Sequence, residues 1–114
     1  MSTSFKKNKL EEKIQFFALE CIRNFSDEKL MLFSVTKVEL SNDFSSAKIF
    51  WDTYDQSKRE EIKSSLGKSK GKIRTHIGRG LKIKHTPQIE FVYDSQYEEE
   101  QKITTILKSE GHIK

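Results

Sequence analysis

Cysteine, proline and glycine are scarce in this sequence of 114 residues, which has one cysteine, one proline and five glycines. A lone cysteine cannot form an internal disulfide, so a reducing compartment is indicated. Long apolar runs are also missing: the longest, such as Phe16–Leu19, span four residues, whereas a membrane helix needs about twenty. The first residues include lysines but no following apolar core or cleavage site, so no export signal is predicted. We therefore expect a single soluble, cytoplasmic domain.

The first stretch with helical periodicity runs from Lys9 to Asn24, is rich in helix-forming residues and contains no glycine or proline. Its apolar residues recur at spacings of four, three and four, at Leu10, Ile14, Phe17 and Cys21. This spacing places them on one face of an amphipathic helix. Because Cys21 falls on that face, we interpret it as a buried packing residue and not as a nucleophile.

Two alternating segments predict a β-hairpin. The first, Leu32–Ser41, changes its apolar phase around Thr36–Lys37, so a bulge there is needed to keep one face apolar. Turn-forming residues follow at Ser41–Phe44, and Ala47–Tyr54 then alternates cleanly. The hairpin is expected to have one face in the core.

Three aromatic residues of the second strand could either pack or bind a base. Trp51 shares a face with Ala47 and Ile49, and we expect that face in the core. Phe50 and Tyr54 lie on the opposite face, where an exposed ring could stack on nucleic-acid bases. The sequence leaves the exposure of these two rings open.

A second helix is predicted after the hairpin, and it contains glycines. Ser57 and Glu60 have the spacing of a capping box, which predicts that the helix begins there. Gly67 and Gly71 interrupt the pattern, and helical spacing resumes at Ile73. We therefore predict a helix, a kink and another helix.

The single proline, Pro87, precedes an alternating segment that ends at Asp94, so it is expected at the start of a third strand. A weak helix with an acidic first turn is predicted to begin at Tyr97 or Glu98. The chain is thereby divided into three expected parts: a flexible N-terminus over 1–8, a KH-like RNA-binding domain over 9–95, and a short C-terminal helix and tail over 96–114.

Positive charge is concentrated between Lys68 and Lys84, a range called here the basic segment. The chain has 21 lysine and arginine residues against 17 acidic residues, for a formal net charge of +4. The basic segment holds seven cations and no acidic residue: Lys68, Lys70, Lys72, Arg74, Arg79, Lys82 and Lys84. A solvated surface explains most shorter runs, but repulsion within so dense a group is offset when an anionic partner binds. We predict that these seven residues bind RNA phosphates, with Lys70 and Arg74 along one side of the helix.

Residues that could perform catalysis or bind a metal are scattered. His76 and His85 are separated by a glycine turn and have no cysteine or carboxylate at ligand spacing, and His112 lies near the end. The carboxylates are dispersed, apart from Glu98–Glu100, which is typical of a solvated helix start. We predict no catalytic residue, no metal site and no cofactor, and we expect the histidines at the surface or facing RNA.

The order of predicted elements, α-β-β-α-β, favours an α+β domain with a three-stranded sheet and the helices packed on one face. This order is the type II arrangement of KH domains, which clamp nucleic acid with a GXXG loop. No GXXG occurs in this chain. The sequence therefore predicts a KH-like fold that lacks the usual loop.

Several segments together resemble the bacterial ribosome-binding factor A family, a KH-like fold in which an Ala-x-Gly kink replaces the GXXG loop. In chain order, the resemblance is carried by Val38–Ser41, Ala47–Lys48, Ile73–Arg74 with Gly78 and Leu81, and Pro87 followed by Phe91 and Tyr93–Asp94. The family's kink falls on Ser69, Lys70 and Gly71, with serine in place of alanine. Serine is also small, and its hydroxyl can bond a nearby backbone group, so the same bend is expected.

The resemblance implies a maturation factor for the small (30S) ribosomal subunit. Such factors bind free small subunits late in assembly near the 5′-terminal helix of the 16S ribosomal RNA, assist processing of that RNA and support growth in the cold. The implied partners are the free 30S subunit and its 16S RNA, and we expect a monomer that is not an enzyme. The residues alone also leave open a generic nucleic-acid-binding module, in which the glycine-interrupted helices form a helix-turn-helix that binds duplex DNA.

Overall fold

The structure is a computed structural model, and it describes residues 3–26, 30 and 33–94. Two helices and three strands follow each other in the order α-β-β-α-β: α1 (Thr3–Arg23), β1 (Phe33–Leu40), β2 (Ser46–Thr53), α2 (Arg59–Leu81) and β3 (Gln88–Tyr93). This order confirms the predicted α+β, KH-like type II arrangement.

Helix α1 was predicted to begin at Lys9, but it begins at Thr3. Residues 3–8, which were expected to be flexible, form its first turns. Nothing in this stretch breaks a helix, since it contains neither glycine nor proline. The ammonium of Lys7 also donates a hydrogen bond of 3.2 Å to Oδ1 of Asn42, which ties the start of α1 to the turn between β1 and β2.

The apolar stripe predicted for α1 is confirmed, with Ile14 and Cys21 buried and Leu10 and Phe17 packed against the same core. Burial raises the pKa of the Cys21 thiol, an effect that Lys72 opposes. A buried thiol with a raised pKa carries little thiolate at neutral pH. Cys21 is therefore a packing residue, as expected.

The sheet has the order β1-β2-β3, in which β1 and β2 are antiparallel and β2 and β3 are parallel. The pairing of β1 with β2 changes register between Val35 and Lys37, so the predicted bulge at Thr36 is confirmed. The hydroxyl of Thr36 donates a hydrogen bond of 2.6 Å to the carboxylate of Asp94, just after β3. A side chain of the bulge in edge strand β1 is thus hydrogen-bonded to the residue that follows the other edge strand, β3.

The predicted turn between β1 and β2 is organised around the carboxylate of Asp43. It accepts hydrogen bonds of 2.7 Å from the hydroxyls of Ser45 and Ser41 and one of 3.1 Å from the amide of Ser45. The bonds from Ser45 and then Ser41 lower the pKa of Asp43 to about 2. The next residue, Phe44, has φ of 62°, a left-handed conformation that is uncommon for a residue other than glycine.

The core lies between one face of the sheet and the two helices. Trp51 is 1% exposed and shares the buried face of β2 with Ala47 and Ile49, which confirms the prediction for that residue. Its ring packs edge-on to Tyr93 at a centroid distance of 5.2 Å and in a tilted contact with Phe33 at 5.9 Å. The aromatic ring of Trp51 therefore joins all three strands on the core side.

The capping box predicted from Ser57 and Glu60 is wrong. Asp55 accepts hydrogen bonds from the amide of Ser57 at 3.0 Å and from its hydroxyl at 2.6 Å, and these bonds lower the pKa of Asp55. Asp55 thereby caps a short 3-10 turn, Gln56–Lys58, which continues into α2. Lys58, which precedes α2, makes no side-chain capping bond. The Ser57 hydroxyl donates its hydrogen bond to Asp55, and Ser57 therefore does not cap α2.

Helix α2 is a single helix of 23 residues that passes through Ser69–Gly71 without a break, and no described glycine has positive φ. The prediction of two helical segments is therefore wrong. Each glycine costs roughly 1 kcal/mol relative to alanine. One side of the helix holds four apolar residues with no exposed surface, each stabilising by roughly 1.5–3 kcal/mol: Ile62, Leu66, Ile73 and Ile77. Burial of this stripe outweighs the glycines.

The helix predicted to open at Tyr97 or Glu98 and the residue His112 lie outside the described residues. The division of the chain into three parts stays a prediction. Over the ranges that the structure describes, neither helix is long and apolar enough to cross a membrane.

Candidate nucleic-acid interface

Six of the seven cations on α2 form two rows along the helix; the seventh, Arg59, lies in the first turn with its guanidinium 3.8 Å from the ring centroid of Tyr93. Residues four or seven positions apart lie on nearly the same side of a helix, because each residue advances about 100°. We call the first set the α1-side row: Lys68, Lys72 and Arg79. We call the second set the β3-side row: Lys63, Lys70 and Arg74. All of these side chains are exposed except that of Arg74, which is half-buried.

A strip of small residues separates the two rows on the outer surface of α2. It consists of Ser64, Gly67, Gly71 and Thr75, all of them exposed. A Cβ atom added at Gly67 or Gly71 would meet nothing within 4 Å. A polyanion could therefore approach the helix backbone with cations on either side.

The α1-side row lies beside the contact between the two helices. The ammonium of Lys72 is 5.2 Å from the ring centroid of Phe25, which follows α1. One turn further along α2, Nε2 of His76 is 2.8 Å from a carboxylate oxygen of Glu20, and the imidazole meets the ring of Phe17 edge-on. His76 is thus an interhelical residue, although the sequence suggested a surface or RNA-facing role.

The β3-side row includes one cation with a structural role. Arg74 donates hydrogen bonds from Nε to the carbonyl of Pro87 at 3.0 Å and from Nη2 to the carbonyl of Thr86 at 2.7 Å. These bonds hold the loop between α2 and β3 against the helix. Two of the Arg74 nitrogens are therefore already engaged, whereas Lys70 has no such bond among the described residues.

The loop after α2 carries the last two cations of the basic segment. Lys82 has φ of 55°, and its amide donates to the carbonyl of Gly78 at 3.1 Å, which ends the helix in a left-handed cap. A Cβ atom on Gly78 would lie 2.5 Å from the hydroxyl oxygen of Thr86, so the loop approaches the helix closely there. The side chains of Lys82 and Lys84 are both exposed. They extend the positive surface beyond the end of α2.

The seven predicted residues are thus brought onto one helix and its following loop, but not onto one side. Lys70 and Arg74 lie together as expected, whereas Lys68, Lys72 and Arg79 lie in the other row. Within residues 3–26, 30 and 33–94, none of the seven forms an ion pair with a carboxylate. Lys63 was missed, because it precedes the basic segment, although its spacing of seven from Lys70 was visible in the sequence.

The two aromatic rings left open by the sequence lie away from α2. Phe50 is half-buried beneath the ammonium of Lys37, which is 4.6 Å from its ring centroid. Tyr54 is 86% exposed just after β2. Neither ring belongs to the surface between the two rows. No group of three or more potential metal ligands is found in the part of the chain that the structure describes.

Comparison with known proteins connects this fold to one family. The sequence model of the family described as ribosome-binding factor A matches residues 6–107. A ribosome-binding factor A from Halothermothrix orenii is 40% identical over 88 residues, which cover 76% of this chain and 72% of that protein.

Two sets of coordinates of ribosome-binding factor A have the same fold. The crystal structure of ribosome-binding factor A from Thermus thermophilus superposes with a TM-score of 0.69 at 23% identity, over 76% of this chain and 94% of that one. A homology model of the Thermus thermophilus factor, fitted into a cryo-EM map of its complex with the 30S subunit, superposes with a TM-score of 0.64 at 21% identity. It covers 78% of this chain and 96% of that one.

Proposed function

The chain belongs to the ribosome-binding factor A family, and on that premise we propose that it is a maturation factor of the small ribosomal subunit. It binds the free 30S subunit late in assembly, near the 5′-terminal helix of the 16S ribosomal RNA, and assists processing of that RNA. It acts in the cytoplasm as a monomeric binding protein, without a catalytic step or a membrane contact, and it supports growth in the cold.

The observation that carries the proposal beyond family membership is the pair of cation rows on α2. Lysine and arginine side chains that contact phosphates release condensed counterions, and this release supplies most of the sequence-independent affinity for nucleic acid. The strip between the rows has no large side chain to keep a phosphate backbone away from the helix. A rigid helix that presents cations at fixed spacing suits RNA that is recognised by its shape.

The alternative of a helix-turn-helix that binds duplex DNA is not favoured. That motif needs two helices joined by a short turn, so that the second can enter the major groove. The predicted break at Gly67 and Gly71 would have supplied such a turn, but α2 is continuous there. The chain therefore has no separate recognition helix between residues 59 and 81.

Sedimentation with ribosomal particles tests the proposal. Tagged protein is incubated with free small subunits, with whole ribosomes and with polysomes, and its recovery in each fraction is measured. We expect recovery with free small subunits and little with polysomes. Equal recovery with polysomes, or no recovery with any particle, would contradict a role in assembly of the free subunit.

A further inference from the structure

An apolar groove opens at one end of the molecule, away from the strip on α2. It lies between the first turns of α1, the turn that joins β1 to β2, and the loop that joins α2 to β3, and its volume is about 770 Å³. The apolar lining is made by Phe5, Leu10, Phe44, Ile83 and Pro87. Phe5 is 49% exposed, with the ammonium of Lys9 5.6 Å from its ring centroid, and Ile83 is 38% exposed, so part of the lining is accessible to a ligand.

The walls of this groove are held in place by bonds already described. Lys7 ties α1 to the turn through Asn42, and Arg74 ties the loop to α2. The left-handed conformation of Phe44 is fixed within a turn whose carboxylate, that of Asp43, is satisfied by two serine hydroxyls. A groove that exists before the ligand arrives avoids the entropic cost of ordering its walls.

Positive charge borders the groove on the side of α1. Lys6, Lys9 and Lys13 line it, and at spacings of three and four they lie on one face of the helix over about 10 Å. Asp43 is the one acidic residue in the lining. Hydrogen bonds from its own turn lower the pKa of this carboxyl group, so it stays ionised at neutral pH, and three cations face one anion in the lining. The border therefore favours an anionic ligand.

One loop connects the groove to the positive surface beyond the end of α2. Ile83 lies between Lys82 and Lys84, and the same loop contributes His85 to the groove. These two lysines and part of the groove lining therefore belong to one short loop, so a single RNA strand can reach both. Unpaired bases bind to proteins by stacking on aromatic and apolar side chains while cations contact the backbone.

We propose that this groove binds an unpaired nucleotide of RNA, with its base against Phe5 and Ile83 and its flanking phosphates on Lys6, Lys9 and Lys13. The inference rests on the proposed RNA-binding function and assigns it a second contact, specific for single-stranded RNA. An acidic amphipathic peptide is the competing occupant. The loop shared with Lys82 and Lys84 and the presence of aromatic rings favour RNA.

The test compares two RNA hairpins with the same number of phosphates, one blunt and one with a short unpaired overhang, by fluorescence anisotropy. We expect the wild type to bind the overhang hairpin about tenfold more tightly, since stacking one base is worth a change of that order. Phe5→Ala and Ile83→Ser should lose this preference and keep the affinity for the blunt hairpin. The control is Phe16→Ala, which removes a phenylalanine of α1 that is 60% exposed but does not line the groove.

Retention of the preference by both groove variants, or its absence in the wild type, would overturn the inference. Binding of an acidic amphipathic peptide to the wild type but not to Phe5→Ala, without any preference for the overhang, would identify a peptide site and also overturn it. Failure of the proposed function is distinguishable, because the wild type would then not sediment with free small subunits, whatever the groove variants do. Equal unfolding midpoints of the variants establish that they fold.

Discussion

The guanidinium of Arg74 donates a hydrogen bond of 2.7 Å from Nη2 to the carbonyl oxygen of Thr86. Together with the bond from Nε to Pro87, it fastens the loop between α2 and β3 to the side of the helix. Arg74 is thus a member of the β3-side row that also has a structural role. It holds the loop that contains Lys82 and Lys84.

Arg74→Gln should destabilise the protein by about 1–3 kcal/mol, because two carbonyls lose a charged hydrogen-bond donor. Lys70→Gln, in the same row and with no bond among the described residues, is the matched control and should change the free energy of unfolding by less than about 0.5 kcal/mol. Urea unfolding measures both. Equal effects of the two substitutions would mean that the loop does not depend on Arg74.

Alanine substitutions at two glycines of α2 should change the free energy of unfolding in opposite directions. Gly71 has helical φ, and a Cβ there meets nothing, so Gly71→Ala should stabilise by about 0.4–1 kcal/mol. A Cβ on Gly80 would lie 2.6 Å from the ring of Phe17, where the helices touch, so Gly80→Ala should destabilise by about 1–3 kcal/mol. Thermal unfolding of the two variants checks the prediction. Loss of stability in Gly71→Ala would instead indicate a strained backbone at the predicted kink.

Acid should weaken the turn between β1 and β2. The pKa of Asp43 is lowered from 3.8 to about 2 in the folded protein. The ionised carboxylate therefore contributes its full share to the free energy of unfolding above pH 3.8, and this share is lost as the pH falls toward 2. Asp43→Asn should therefore lower the melting temperature at pH 7 and have a smaller effect near pH 2. NMR titration of the Asp43 carboxyl group gives the pKa directly. A melting-temperature difference that does not change with pH would contradict this account.

Features set by neighbours along the chain could be predicted from the sequence. The phase change at Thr36 predicted the bulge, and alternation predicted that Trp51 is buried. The break predicted at Gly71 did not occur, because that inference used only the local cost of glycine and could not weigh it against burial of the whole stripe on α2. Asp55 was missed as a cap because a short 3-10 turn separates it from α2.

The candidate site was predictable in composition but not in arrangement. The basic segment named seven of the cations, yet their division into two rows follows from angles around a helix that was expected to be broken. The groove could not be predicted, because Phe5, Phe44 and Ile83 come from three distant segments that only the tertiary fold brings together.

The central claim is that the rows on α2 bind RNA of the small subunit, and the salt dependence of that binding tests it most directly. The affinity for free small subunits is measured at several salt concentrations for the wild type and for two triple glutamine variants. One variant removes the α1-side row: Lys68, Lys72 and Arg79. The matched control removes three cations outside α2: Lys37, Lys48 and Lys58. Log K falls as log salt rises, and each lost phosphate contact should make that slope less steep by roughly 0.7–0.9.

The row variant should therefore bind more weakly and lose about two to three units of slope, whereas the control should retain the slope and affinity of the wild type. Equal losses in the two variants would contradict the account, because the affinity would then come from the overall positive charge of the chain and not from the cations of α2.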